Sequence, residues 1–275
     1  MDNIKLLIAD IFKLYPYVDV LIVDDNSPDG TADLLNFLAK ANKQIKFIKR
    51  THKLGLGSAH HLAMLYAIKN NYDVLVTMDA DLSHNPQDIS KLLEKLDRAD
   101  FVIGARYVKG GGSDYTGYRK FLSKTAGIFA KRLLFIPLDE FTSSFRAFRV
   151  NKLKNVNFLK MHNNGYTFMM ESIVRFHQAG LILAQIPSYF YNRTKGSSKI
   201  PRFEIFSAML KLLHLFISRI FRSKFEFSNI FINDTCGCCS SKLLSVRYLE
   251  KRSSNNDILN QSNTFRCSDT VLKIK

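Results

Sequence analysis

The chain has 275 residues, 46% hydrophobic and 23% charged, enough to bury a full core and carry an appendage. Lysine and arginine outnumber the acids 40 to 24, a formal net charge of +16, which favours phosphates or an anionic membrane as partners. No helix-turn-helix or RNA-reading motif is visible, so nucleic acid is set aside; no apolar run reaches the ~20 residues of a membrane span.

In chain order, strands and helices alternate. Residues 18–23 read as a buried strand, and Asn26-Ser27-Pro28-Asp29-Gly30 leads into a helix over Thr31–Ala41. Ile45–Lys49 is a second strand, and Gly55-Leu56-Gly57-Ser58 opens a helix running to about residue 70. A third strand at 74–78 is followed by a helix at 86–96, with Leu92, Leu93 and Leu96 on one face, and by a fourth strand at Phe101–Ala105. This repetition predicts an α/β fold, a Rossmann-like, mostly parallel sheet with flanking helices. Ligands of such sheets bind beyond the carboxyl ends of the strands, where Asp24, Asp25, the 55–57 turn, Asp79, Asp81 and Arg106 all fall. In an extended segment residues i and i+2 point the same way, so Asp79 and Asp81 can aim two carboxylates at one hard divalent cation, Mg²⁺ or Mn²⁺. The competing reading is a turn in which Asp81 or Ser83 caps the next helix.

The second half is less regular. Gly110-Gly111-Gly112 reads as a flexible hinge, 118–134 as a basic-apolar helix, and 166–178 as a helix with Phe168, Met169, Ile173 and Phe176 mainly on one side. A strand at 184–191 runs into the polar loop from Arg193 to Lys199. The stretch 203–221 is apolar with Lys211, His214 and Arg219 interspersed. It fits an amphipathic helix lying in a membrane interface, or a helix packed on the domain. All four cysteines fall late, at Cys236, Cys238, Cys239 and Cys267, unlike a secreted disulfide framework, and no secretory signal opens the chain. The expected location is cytoplasmic, peripheral on a membrane.

Several motifs occur in order: Val23-Asp24-Asp25-Asn26-Ser27-Pro28-Asp29-Gly30-Thr31, Gly55-Leu56-Gly57, Asp79-Ala80-Asp81-Leu82-Ser83-His84-Asn85-Pro86, and Gly104-Ala105-Arg106-Tyr107 followed by Gly111-Gly112. Arg119 and Ser123, Thr142-Ser143-Ser144-Phe145-Arg146, Gly165-Tyr166, and Arg193 with Gly196-Ser197-Ser198-Lys199 complete the set. Together they resemble a family 2 glycosyltransferase of the dolichol-phosphate (polyprenyl-phosphate) mannosyltransferase type, with a GT-A fold, over about residues 18–200.

The resemblance implies transfer of a mannose- or glucose-class hexose from a nucleotide sugar (GDP-mannose or UDP-glucose class) to a polyprenyl or dolichyl phosphate at the cytoplasmic membrane face. It implies Asp79, Asp81 and Ser83 as metal ligands and Asp25 against the nucleotide base, supported by Asp24. Gly55, Gly57 and Asp79 belong to the nucleotide-sugar site, and Arg193, Ser198 and Lys199 to a loop closing over the diphosphate. Arg106, Arg119 and Ser123 match the positions that hold the acceptor phosphate, a task suited to the planar guanidinium. A phosphate monoester is already mostly dianionic at neutral pH, its second pKa being near ~6, so it needs no general base. With a hydroxyl acceptor, as in cell-envelope polysaccharide synthesis, Asp139 or Glu140 would have to serve as base.

Two departures stand out. The family's first strand, with its Pro-Thr-Tyr-Asn-Glu-like segment, has no counterpart, so its sheet neighbours are expected to lack hydrogen-bond partners: either the true start lies upstream, or the chain is a degraded or split protein, with an inactive remnant as a further alternative. Ser144 replaces the usual glycine, which points to a changed acceptor side. The expected organisation is a GT-A domain over 1–200, an amphipathic helix region over 201–230, and a cysteine-containing tail over 231–275, partly zinc-ribbon-like or disordered.

Overall fold

Largely apolar runs form β1 (Asp19–Asp24), β3 (Val74–Asp79) and β4 (Phe101–Ala105), while the edge strand β2 (Ile45–Lys49) carries two lysines and is only partly buried. The structure, a computed structural model, describes residues 2–158, 161, 165–192 and 268–274. Helix α1 (Asp2–Leu14) precedes β1, and α2 (Thr31–Ala41), α3 (Leu56–Lys69) and α4 (Ile89–Leu96) alternate with the strands. The predicted helix at 86–96 starts as a 3-10 turn, Pro86–Asp88, capped by Asn85, whose side chain accepts from the Gln87 N–H. Beyond β4 come β5 (Gly112–Ser113), α5 (Gly117–Leu134), β6 (Arg146–Arg149), the short α6 (Val150–Leu153), α7 (Gly165–Gln178), β7 (Leu183–Pro187), β8 (Tyr189–Phe190) and β9 (Ser268–Ile274).

The main sheet has the order β2-β1-β9-β3-β6-β4-β7. Five strands share one direction, and β6 and β9 run against them. Strand alternation feeds two cores. Leu21, Val23, Leu75, Phe101 and Ile103 pack with α3 and α7 on one face. Val20, Ile22, Val76 and Val102 pack with α1, α2 and α4 on the other. Burial on both faces is why these strands read as continuous apolar runs.

Four features differ from the sequence reading. β6 lies in a stretch too polar to signal a strand; its Arg146 is fully buried and donates to the carbonyls of Phe141, Ser143 and Met169 and to Ser172 Oγ. The strand expected at 184–191 breaks after Pro187, which has no N–H for a ladder; β7 pairs with β4, and β8 with β5. The glycines at 110–112 are packing positions. A Cβ on Gly111 would lie 2.4 Å from the Ala105 carbonyl oxygen, and one on Gly112 2.6 Å from the Tyr189 ring.

The fourth difference is the largest. The slot between β1 and β3, for which no strand was expected, holds β9, with Val271 opposite both Leu21 and Thr77. Its sequence, Ser-Asp-Thr-Val-Leu-Lys-Ile, is rich in residues that favour strands. Val271→Pro removes a ladder donor from this central strand and leaves a buried acceptor unpaired, a loss of about 1–3 kcal/mol before steric strain. Thermal melts are expected to shift down by at least roughly 2–4 °C per kcal/mol; an unchanged melt for Val271→Pro would rule out β9 as a central strand. The helix expected at 203–221, the four cysteines and the loop expected from Arg193 to Lys199 lie outside the described residues.

Candidate active site

β3 delivers Asp79 to the carboxyl edge of the sheet, and the chain then turns sharply. Leu82 adopts φ 65, and the Ser83 N–H donates to Asp81 Oδ1 at 3.0 Å. Ser144 Oγ donates to Asp79 Oδ1 at 2.6 Å, while Thr77 Oγ1 donates to the Ser144 carbonyl at 2.6 Å. The residue standing where a glycine was expected therefore acts on the Asp79 carboxylate. Ser83 is fully buried, and its Oγ has no hydrogen-bond partner among the described residues. Next to it, the His84 ring stacks on Phe145, and its Nδ1 accepts from the Asp79 N–H at 3.3 Å.

At the end of β4, Arg106 is held from two sides. Its Nε and Nη2 donate to the Glu140 carboxylate at 2.7 and 2.9 Å, and Nη2 also reaches Thr142 Oγ1 at 2.9 Å. Burial works to raise the Glu140 pKa, but the Arg106 charge and the hydrogen bonds from Arg106 and Thr142 outweigh it and hold it at about 2. Burial likewise opposes the charge on Arg106, and Glu140 overcomes it, holding the guanidinium above its ordinary range. Asp139 is pushed up by burial, yet Lys131 and Gln185, each at 2.6 Å, bring it below the usual carboxylate range. Burial keeps His84 neutral, against the pull of Asp79 and Asp81 and with Arg106 and Glu140 also in its field. One buried ring thus borders both the aspartate pair and the arginine–glutamate pair.

At the end of β1, Asp24 is buried and accepts from the Ser27 N–H at 3.1 Å and Ser27 Oγ at 2.5 Å. Asp25 is buried beside Arg50 and the glycine turn, where Gly55 has φ 83 and Gly57 packs in the first turn of α3. β9 separates β1 from β3, which puts the two aspartate pairs about 10 Å apart by strand spacing. Helix α5 carries Arg119 and Ser123 about one turn apart, and Ser123 is half-buried. Arg193, Ser198 and Lys199 lie outside the described residues, but the chain arrives at the site just before them: the Tyr191 N–H donates to the Ser83 carbonyl at 3.0 Å.

The family model for glycosyl transferase family 2 matches residues 2–156. The chain belongs to glycosyl transferase family 2. This family 2 chain is 36% identical over 214 residues to the polyprenol monophosphomannose synthase of Mycolicibacterium smegmatis, covering 77% of the chain and 81% of that protein. It is 33% identical over 201 residues to the undecaprenyl-phosphate mannosyltransferase of Micrococcus luteus, covering 73% and 83%. Its fold is similar to that of glucosyl-3-phosphoglycerate synthase from Mycobacterium tuberculosis, solved with Mn²⁺, uridine diphosphate and phosphoglyceric acid. The TM-score is 0.52 at 19% identity, over 79% of this chain and 73% of that one. The expected GT-A fold is the fold of this glycosyltransferase.

The donor set suits a hard cation. Two half-buried carboxylates and an orphaned hydroxyl stand at one turn, and no group of three His, Cys, Asp or Glu gathers among the described residues. A Mg²⁺ or Mn²⁺ here would complete its shell with water and substrate phosphate, as such ions commonly do. Three side chains of this family 2 site escaped the sequence reading: His84, Arg50 and Ser144 as a partner of Asp79. His84 and Ser144 stood inside quoted motifs, but only their contacts assign them a place.

Proposed function

We propose that this glycosyltransferase moves a hexosyl group, of the mannose or glucose class, from a nucleotide-diphosphate sugar to a polyprenyl phosphate. One observation carries the reading: both acids near the acceptor side, Asp139 and Glu140, are paired to cations and held below the usual carboxylate range. Weak bases suit an acceptor that has no proton to lose. The names of the two relatives described above support the same acceptor class. A glycan hydroxyl would require one of these acids to leave its partner and accept a proton.

In this reading Asp25 meets the nucleotide base, and Gly55 and Gly57 let the backbone come close to it. Asp79, Asp81 and Ser83 hold the divalent cation, which when bound offsets the charge of the departing diphosphate. Arg193, Ser198 and Lys199 lie in the segment that closes over it. Arg106, Arg119 and Ser123 orient the acceptor phosphate. An oxygen of that phosphate bonds to the anomeric carbon while the bond from that carbon to the diphosphate oxygen breaks. The electron pair leaves with the nucleoside diphosphate, and no proton moves. The lipid acceptor makes the enzyme peripheral on the cytoplasmic face, in keeping with its +16 charge and with Ile128, Phe129 and Phe135 exposed beside Lys131 and Arg132 near the end of α5.

The test is transfer from GDP-mannose or UDP-glucose into anionic vesicles carrying either polyprenyl phosphate or free polyprenol. Product is expected from the phosphate alone, with vesicle binding that weakens as salt rises. Equal rates with the alcohol would overturn the acceptor, and release only by detergent would overturn the peripheral attachment.

A further inference from the structure

Asp25 does not stand alone in its pocket. Arg50, immediately after β2, is itself buried and forms an ion pair with Asp25 through Nη2. Its Nη1 donates to Ser58 Oγ at 2.6 Å, and that hydroxyl donates to the Gly55 carbonyl at 2.8 Å. Its backbone N–H donates to the Asp24 carbonyl at 2.8 Å. One side chain thus ties together the end of β1, the end of β2, the glycine turn and the start of α3. The charged groups facing Asp25 are Arg50 and, on its own strand end, Asp24; the backbone amides of Leu54 and Gly55 also point at it. His52 lies in the field of Arg50, which together with burial holds its pKa down.

We infer that Arg50 is the positioning residue of the nucleobase pocket: paired to Asp25, it keeps that buried carboxylate ionised and acceptor-only. An acceptor-only carboxylate pairs with a base edge carrying a ring N–H, as in guanine or uracil. It meets the bare ring nitrogen of adenine or cytosine with a repulsive acceptor–acceptor contact. The inference rests on the proposed donor reading, which already takes a guanine or uracil donor, and adds the residue that holds Asp25 in the form able to pair with it. Geometry and charge agree on the mechanism. Burial raises the Asp25 pKa to about 6 even with the Arg50 charge and two amides pulling the other way. Without Arg50 the carboxyl would take up its proton nearer neutral pH, and a protonated oxygen would offer a donor where the base needs an acceptor.

The experiment is calorimetric binding of GDP-mannose, UDP-glucose, ADP-glucose and CDP-glucose to the full chain with Mg²⁺, between about pH 5 and 8.5, a span that brackets the Asp25 transition. A sugar-capped diphosphate has no phosphate that titrates in this span. The parent is expected to bind a guanine or uracil donor roughly tenfold or more tighter than the adenine and cytosine donors, and to lose it as pH falls through about 6. Arg50→Met is expected to move that midpoint up by about one pH unit or more, with affinity recovered at high pH. Arg50→Lys keeps the charge and should leave the midpoint near the parent's. Arg50→Met also frees His52 from the Arg50 charge, so the shift is assigned to Asp25 by its absence when Arg50→Met is combined with Asp25→Asn.

Equal weakening of Arg50→Met at every pH, with no shift in midpoint, would overturn the inference, as would tight binding of the adenine or cytosine donors. If the parent binds a donor but Asp25→Asn binds it equally well with the same pH profile, Asp25 is not the base contact and the inference fails while the donor reading stands. Failure of the parent to bind any of the four would overturn both.

Discussion

Arg106→Ala is expected to abolish transfer to polyprenyl phosphate and to lower thermal stability in the same protein. The stability loss comes from Glu140. Its carboxylate is fully enclosed and accepts two bonds from Arg106, so deleting the guanidinium leaves an uncompensated buried charge, a cost of about 3–5 kcal/mol. The activity loss comes from the phosphate, which forfeits charge-assisted hydrogen bonds of roughly 1.5–3 kcal/mol each. The two effects separate in a double variant. Arg106→Ala with Glu140→Ala removes both charges and should regain much of the melting temperature while remaining inactive. Parent-like turnover with polyprenyl phosphate in Arg106→Ala would remove Arg106 from the acceptor site.

The same pair sets an acid limit on the parent. Glu140 has a folded pKa of about 2 against an ordinary value of 4.5. Its folded value is depressed, so its contribution is fully present above pH 4.5 and is lost as pH falls from there towards 2. The shift corresponds to about 3 kcal/mol. Melts of the parent should weaken across that window and those of Glu140→Gln much less.

Asp81→Asn is expected to remove cation-dependent donor binding. An amide keeps an oxygen at the turn but loses the negative charge that attracts a divalent cation, and with the cation weakened the diphosphate meets Asp79 without a counter-charge. Turnover should fall at least about a hundredfold, the equivalent of roughly 2.7 kcal/mol. Calorimetry of GDP-mannose or UDP-glucose with and without Mg²⁺ or Mn²⁺ is the direct measurement; a parent whose donor affinity ignores the cation would sink the assignment. Ser144→Ala offers a finer probe. It leaves the Asp79 carboxylate in place and deletes the 2.6 Å bond that orients it. Loss of such a supporting contact is expected to cost about 10–100-fold in cation affinity.

How much of this was legible beforehand depends on the range of the interaction. β1, β3 and β4 announced themselves because a strand buried on both faces must be apolar throughout, and Asp24, Asp25, Asp79, Asp81 and Arg106 followed because strand ends are where such runs stop. Strand β2 and the helices α2 and α3 likewise rest on local pattern: Ile45–Lys49 is the span read from the sequence, and the helix bounds, Thr31–Ala41 and Leu56–Lys69, fall within a residue or two of the reading. Local pattern carries no information about partners far along the chain. Nothing around Ser268–Ile274 says that it enters a sheet between strands some 200 residues earlier. In the sequence Glu140 is only a candidate base for a hydroxyl acceptor; its role as the partner of Arg106, 34 residues away, appears once the two are found together. Arg50 looked like one more lysine-or-arginine position in a basic chain; its burial against Asp25, and with it a charge that acts on the site, exists only once β1, β2 and the glycine turn have come together.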